Sequence, residues 1–112
     1  MGLVLIDVNT QYTVEYEGTK FTCKPILADE MARYMDMSAS FEKDGKMRTQ
    51  LNMRNYAIVA EHVTGADGIF DANGNKVPWN KSLVQRLSMD AINYIANQLL
   101  EKNTLQDDEI KN

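Results

Sequence analysis

Oxygen-bearing side chains gather in one short stretch of the chain, Asp71-Ala72-Asn73-Gly74-Asn75. Aspartate and asparagine at alternate positions could begin an EF-hand loop, whose carboxylate and amide oxygens bind calcium. The pattern then departs from that loop, because its glycine stands at the fourth position instead of the sixth and Ser82 replaces the bidentate glutamate at the twelfth. The Asn-Gly pair favours a β-turn, since both residues tolerate positive φ. A weak metal site that uses Asp67 and Asp71 stays open as the alternative.

Nucleophilic or acid–base catalysis would have to rely on very few residues. The chain has one cysteine, Cys23, and one histidine, His62, with no phosphate-binding glycine loop and no Cys/His zinc spacing. Cys23 stands in an alternating run, which predicts a packed side chain. His62 ends a predicted helix, where a positive charge would interact favourably with the helix dipole. Glu15 and Glu17 alternate on a predicted strand and should be solvated, so we predict no enzymatic activity and no cofactor.

The composition is that of an ordinary globular protein, with 44% hydrophobic and 25% charged residues in a chain of 112. We predict a single α+β domain over residues 1–103, followed by a flexible acidic tail over residues 104–112. The formal net charge is −4 and the basic residues are dispersed, which disfavours nucleic-acid binding. No segment approaches the ~20 apolar residues of a membrane span, and a lone cysteine is typical of cytosolic proteins. We therefore predict a cytoplasmic protein with no membrane partner.

The first predicted element of the chain is a β-hairpin. Residues 12–17 and 19–24 alternate between apolar and polar side chains around a turn centred on Gly18. Tyr12, Val14 and Tyr16 should share one face of the first strand, and Phe21 should share a face of the second strand with Cys23. The apolar residues 3–8 are a possible third strand, and the sheet must pack on helices to be stable.

Two helices follow the hairpin in the predicted order. The first runs from about Ala28 to Ser40, and the second from near Thr49 to His62, with a loop over residues 41–46 between them. Met31 and Met35 stand on the apolar stripe of the first helix. Core packing is one interpretation of this stripe, and a protein-binding groove is the other, because methionine adapts to irregular shapes.

The C-terminal half combines turns with two capped helices. Residues 65–68 should end the second helix, and residues 69–70 and 76–77 should form a short β-ribbon that contains Phe70. Ser82 with Gln85 forms a capping-box pattern for a short helix, and Ser88 should cap a longer helix that reaches about Lys102. Trp79 either locks the ribbon onto the helices or serves as an exposed anchor for a partner.

The order of these elements resembles the tail assembly chaperones of tailed bacteriophages and prophages. Three segments carry the resemblance: Tyr16-Glu17-Gly18-Thr19-Lys20-Phe21, the turn Val63-Thr64-Gly65, and the run from Gly68 to Trp79 that precedes Ser82 and the last helix. The resemblance implies a cytoplasmic, non-enzymatic helper that binds the tape-measure protein of the tail during assembly. Such helpers are absent from the finished virion.

We therefore expect an α+β protein with a small N-terminal antiparallel sheet, three to four helices and a β-ribbon before the last helices. Its expected function is that of a tail assembly chaperone or adaptor, with a protein partner contacting Met31, Met35, Phe70 and Trp79. The first alternative is a structural component of the virion, such as a head–tail connector or tail protein, that forms homo-oligomers. The second is a small metal-binding module or enzyme.

Overall fold

The fold was analysed in a computed structural model. It describes the backbone of residues 2–41, 47–49 and 51–111, and the side chains of residues 2–38 and 51–103. Its regular elements are three helices, one 3₁₀ helix and five strands within those residues. The predicted α+β class is confirmed, with an antiparallel three-stranded sheet that packs against the helices.

The predicted N-terminal hairpin is confirmed in its two strands and its turn. Strand β1, Tyr12–Tyr16, pairs antiparallel with β2, Thr19–Cys23. The two-residue turn between them has positive φ at both Glu17 (50°) and Gly18 (84°), which is the geometry that matches the twist of paired strands. One face of the hairpin carries the buried side chains, because Val14 lies opposite Phe21 and both are buried.

The third strand of this sheet comes from a different part of the chain than predicted. It is β5, Val63–Asp67, which pairs antiparallel with β2 and gives the order β1-β2-β5. Residues 3–8 do not form a strand in the structure, and residues 65–67 continue a strand instead of ending a helix. The local sequence around Gly65 is typical of a helix end. In the structure Gly65 lies opposite Thr22, because the backbone of β5 pairs with β2 across a bulge.

The helices differ from their predicted ends. Helix α1 is Ala28–Met37 and helix α2 is Leu51–His62. Helix α1 ends before Ser40, because β3, Ala39–Phe41, pairs with β4, Met47–Thr49, as a short hairpin that the sequence did not predict. The predicted loop over 41–46 overlaps β3 at Phe41, and its residues 42–46 lie outside the described residues.

The C-terminal helices are capped by different means. The 3₁₀ helix Lys81–Arg86 is capped by Asn80, whose Oδ1 accepts from the Ser82 backbone N–H at 3.0 Å, so the prediction that Ser82 is the cap is wrong. Ser88 is confirmed as a cap, because its Oγ accepts from the Ala91 N–H at 3.1 Å. Helix α3 is Met89–Lys111 and continues beyond the end predicted near Lys102. The flexibility of residues 104–112 stays a prediction.

Helix α3 is attached to the sheet region through a buried polar contact. Its apolar side chains pack against α2 and β1 within the core. Near the end of the buried part, Asn103 Oδ1 accepts from the Ile26 backbone N–H at 3.1 Å, and its Nδ2 donates to the Leu99 carbonyl at 2.7 Å. Since a buried amide must find hydrogen-bond partners, Asn103 determines where α3 meets the segment after β2.

Candidate binding site

The candidate site is built on the loop that follows β5. Gly68 (φ 96°) approaches the β1–β2 turn so closely that a Cβ atom would lie 3.2 Å from the Gly18 carbonyl oxygen. Thr19 Oγ1 donates to the Gly68 carbonyl at 2.8 Å. Because glycine alone combines that backbone conformation with that approach, the loop is held against the hairpin turn.

The Asp71 region folds as a turn, as its Asn-Gly pair predicts. Asp71 Oδ1 accepts from the backbone N–H groups of Asn73 and Asn75, each at 2.9 Å. Gly74 has the positive φ of a bulge glycine, and the Gly74 N–H donates to the Asp71 carbonyl at 3.0 Å. The predicted β-ribbon is reduced to one bridge between Phe70 and Lys76, with no strand on either side.

The acidic residues proposed for a weak metal site are engaged in other contacts. The Asp67 carboxylate lies 2.9 Å from Lys76 Nζ, and the hydrogen bond and charge of that lysine lower the pKa of Asp67. Among residues whose side chains are described, no three or more histidine, cysteine, aspartate or glutamate side chains are grouped so that they could hold a metal ion. The Asp71 carboxylate stabilises the turn instead.

A cavity of about 380 Å³ lies between the hairpin turn, this loop and the C-terminal helices. Its apolar lining comes from the sheet, the loop, the 3₁₀ helix and the start of α3. The apolar side chains are Phe21, Ile69, Val77, Leu83, Leu87 and Ala91, and the charged ones are Glu17, Asp71 and Arg86. Phe70 also lines this cavity and leaves 61% of its surface exposed to solvent. The site is therefore an open recess with a lining that is about half apolar and half polar, an exposed aromatic ring and mixed charge.

Two of the four predicted partner-binding residues lie in or beside this recess. Phe70 lines it directly. Trp79 packs against the core and meets Phe21 edge to face, with ring centroids 6.3 Å apart and an interplanar angle of 89°. Trp79 thus supports the ring of Phe21 on strand β2, whereas the structural interpretation expected it to lock the ribbon onto the helices. Its role as a partner contact stays a prediction.

Met31 and Met35 lie on α1 and do not line the recess. Met31 is partly buried and packs against the core, as the core interpretation predicts. Met35 is 46% exposed, so the core interpretation is wrong for this residue. Tyr34 occupies the fully buried position of the helix, and Met35 follows it around the helix toward solvent.

The difference between the two methionines predicts different effects on stability. Met31→Ala should lower the free energy of unfolding by about 1–2 kcal/mol. This is less than the loss of about 2–5 kcal/mol for a fully buried methionine, because Met31 is only partly buried. Met35→Ala should change it by less than about 0.5 kcal/mol. Urea denaturation of both variants measures this, and equal losses at the two positions would contradict the packing described here.

The sequence interpretation missed a cluster of polar residues between α1 and α2. The Tyr34 hydroxyl lies 2.8 Å from His62 Nε2 and 3.1 Å from Glu61 Oε2. Arg33 forms an ion pair with Glu61 and lies over the Tyr34 ring, with Cζ 4.9 Å from the centroid. Glu30 Oε2 is 3.7 Å from His62 Nε2. No local pattern in the sequence indicates this cluster, because its members come from helices about thirty residues apart.

Burial determines the charge of this cluster. His62 is fully buried, which lowers its pKa more than the nearby Glu30 carboxylate raises it. Burial of the Tyr34 hydroxyl beside Glu61 raises the pKa of that tyrosine. Burial also acts to raise the pKa of Glu61, but hydrogen bonds from Arg33 and Tyr34 outweigh it and hold that pKa below its usual value. A helix end favours the charged form of a histidine, whereas burial in this cluster disfavours the charged form of His62.

The cluster joins two helices, and Tyr34 and His62 at its centre are buried, whereas Arg33 and Glu61 are partly exposed. Both Tyr34 and His62 have no exposed surface, so a substrate atom cannot reach them in this arrangement. Cys23 is also fully buried, as predicted, and burial raises the pKa of its thiol to about 12. Glu15 and Glu17 are exposed, again as predicted.

The chain matches no protein-family profile, no curated protein and no solved structure. Within the part of the chain that the structure describes, none of the helices is long and apolar enough to cross a membrane.

Proposed function

We propose that this protein is a non-enzymatic adaptor, of the tail assembly chaperone type that its sequence resembles, which binds another tail protein in the host cytoplasm. The observation that carries the proposal is the recess lined by Phe70. A large aromatic side chain that is mostly exposed beside a partly apolar recess is typical of a surface that a partner covers.

The lining of the recess favours a particular kind of client. Amphipathic helices bind by placing apolar side chains into such grooves. Of the charged residues that line it, Glu17 and Asp71 are acidic and Arg86 is basic. A client helix with apolar anchors and flanking lysine or arginine residues would complement this lining, because opposite charges at an interface favour correct docking.

Recovery of the client from cells tests the proposal. The tagged protein is co-expressed with the neighbouring genes, and the eluate is analysed by mass spectrometry and light scattering. We expect recovery of a long helical tail protein, and we expect Phe70→Ala to reduce that recovery at least tenfold, since central aromatic contacts contribute about 2 kcal/mol or more.

Met53→Ala is the matched control for this experiment. Met53 is 63% exposed, close to the 61% of Phe70, but it lies on α2 and does not line the recess. Full recovery with Met53→Ala and loss with Phe70→Ala would support a client site at the recess. Equal recovery with both variants would overturn it.

The two alternatives have their own signatures in the same material. Recovery of the protein alone as a discrete ring would favour a structural component of the particle, because such a component assembles through a closed symmetric interface. A calcium-dependent rise in the melting temperature would favour the metal-binding module, since a ligand that binds only the native state stabilises it. We expect no such rise, because the Asp71 carboxylate already accepts two backbone hydrogen bonds.

A further inference from the structure

The loop that carries Phe70 has an Asn-Gly pair at its tip. Asn73-Gly74 is the only such pair in the chain, and both of its residues are exposed. The backbone N–H of Asn73 donates to Asp71 Oδ1 at 2.9 Å, but within the described residues the side-chain carboxamide of Asn73 makes no hydrogen bond. That carboxamide is therefore free to rotate toward the backbone nitrogen of Gly74.

An asparagine followed by glycine can lose its side-chain amide by an intramolecular reaction with water. The backbone nitrogen of Gly74 loses its proton to hydroxide and attacks the side-chain carbonyl carbon of Asn73. The new N–C bond closes a cyclic imide, and the carboxamide nitrogen takes a proton from water and leaves as ammonia. Water then adds to either imide carbonyl and breaks its bond to nitrogen. Cleavage at the side-chain carbonyl gives aspartate, whereas cleavage at the backbone carbonyl gives isoaspartate, whose backbone runs through the former side chain.

The residue after each asparagine determines how readily this attack occurs. A Cβ atom on the attacking residue would crowd the cyclic product, and glycine has none. Apart from the chain neighbours of Gly74, no atom lies within 4 Å of the position that a Cβ atom would occupy there, so this side of the turn is open to water. Asn75 is also exposed, but Lys76 follows it and hinders the equivalent attack. The reaction should therefore be selective for Asn73.

Asp71 holds the turn closed and thereby slows the reaction. Its backbone carbonyl accepts from the Gly74 N–H at 3.0 Å, and its Oδ1 atom accepts from the N–H groups of Asn73 and Asn75. The attacking nitrogen must lose the proton that it donates to Asp71, so the turn has to open before Asn73 can react. Because these hydrogen bonds lie in an exposed loop, the opening is local and requires much less free energy than global unfolding.

We propose that Asn73 is a site of spontaneous deamidation that the Asp71 turn holds back, and that the isoaspartate product opens this turn. Isoaspartate adds a methylene group to the backbone, so the neighbouring N–H groups no longer align with Asp71. Its new carboxylate also lies close to that of Asp71, and like charges repel. The bridge between Phe70 and Lys76 then loses the turn that closes it. The modification does not depend on whether the recess binds a client.

Peptide mapping of the full chain by mass spectrometry tests the reaction. The folded protein is incubated at neutral and alkaline pH, and the same chain unfolded in urea gives the reference rate. We expect Asn73 to become a mixture of aspartate and isoaspartate, more slowly than in urea but faster as the hydroxide concentration rises. Asn75 is the matched control within the same molecule, because it is exposed in the same turn, and it should keep its amide.

Two results of the mapping would overturn the site. One is a folded protein whose Asn73 stays intact after the chain in urea has been fully converted. The other is loss of the amide at Asn75 as fast as at Asn73.

Variants of Asp71 test the protective role of the turn. Asp71→Ala should raise the rate at Asn73 in the folded protein about tenfold, because two hydrogen bonds to a carboxylate are lost. Asp71→Asn keeps an acceptor oxygen and should have an intermediate rate. Neither variant should change the rate in urea, where the turn is absent. Equal rates in folded Asp71→Ala and the unaltered protein would show that the turn does not control the reaction.

Nuclear magnetic resonance follows the effect on the loop. In the isoaspartate form the backbone amide signals of residues 69–77 should shift, whereas those of β1 and the helices should not. Asn73→Asp adds the charge without lengthening the backbone, and it should shift these signals less. Asn73→Gln keeps an amide that closes the imide far less readily, so its signals should not change during incubation. Loop signals in the isoaspartate form that match those of the unaltered protein would contradict the opening of the turn.

Discussion

Replacing Phe21 by alanine is expected to lower the free energy of unfolding by about 3–5 kcal/mol, whereas Phe70→Ala should change it by less than about 0.5 kcal/mol. Both phenylalanines line the same recess. Phe21 is 2% exposed and packs between Val14 and the edge of the Trp79 ring, so its removal leaves a void inside the core. Phe70 is mostly exposed, so its removal takes little surface out of the interior.

Urea denaturation followed by Trp79 fluorescence measures both effects. Because the chain has one tryptophan, the fluorescence signal comes from Trp79, which packs against Phe21. The native fluorescence of Phe21→Ala should also change, since the ring beside the indole is lost. Similar stability losses in the two variants would contradict the division between a supporting ring and an exposed contact, and with it the case for a client site that includes Phe70.

Stability should fall as the pH drops below about 6.5, because of His62. In the unfolded chain this histidine takes up a proton near its ordinary pKa of 6.5, whereas burial lowers its pKa in the folded protein. Between those two values the unfolded state binds more protons than the folded state, so acid favours unfolding. Above about pH 6.5 the histidine does not lower the free energy of unfolding. Its full destabilising effect is reached only when the pH is below the lowered pKa of His62 in the folded protein.

The groups around His62 modify this effect without reversing it. The carboxylates of Glu30 and Glu61 raise the pKa of the histidine, and Lys24 lowers it. Because the pKa values of Glu61 and Asp67 are also lowered, these residues make stability fall in acid as well. Their effect lies at a lower pH, below their ordinary pKa values of 4.5 and 3.8. The interval from about pH 7 to about pH 5 therefore isolates the histidine.

His62→Gln supplies the control, since this is the only histidine in the chain. The variant should lose less stability than the unaltered protein over that interval, as measured by urea denaturation at several pH values. In the unaltered protein, the ring signals of His62 in nuclear magnetic resonance should not change near pH 6.5. A ring that titrates near its ordinary pKa would show that His62 is not buried as described, whatever the stability of the variant.

The hairpin shows what local sequence can determine. Alternating side chains place Val14 and Phe21 on one face, and Glu17-Gly18 forms the turn that joins the strands. All of this information lies within about a dozen consecutive residues, so no distant contact is needed to choose the register. The Ser88 cap was predictable for the same reason, because a cap acts within one helical turn.

The candidate site was only partly predictable. Phe70, which is predicted to contact a partner, does line the recess. The recess itself could not be predicted, because its walls come from the hairpin, the loop after β5 and two C-terminal helices. Met35 was selected from helical periodicity, which indicates the stripe but not how much of each side chain the neighbouring elements cover.

By itself, the sequence determined the α+β class, the N-terminal hairpin and the presence of its main helices, since periodicity and turn residues act over short distances. Only the tertiary structure decided that Val63–Asp67 is a strand, because that strand exists through pairing with β2 some forty residues earlier. The burial of His62 beside Tyr34, which lowers the pKa of the histidine, also comes from tertiary packing and not from a local pattern.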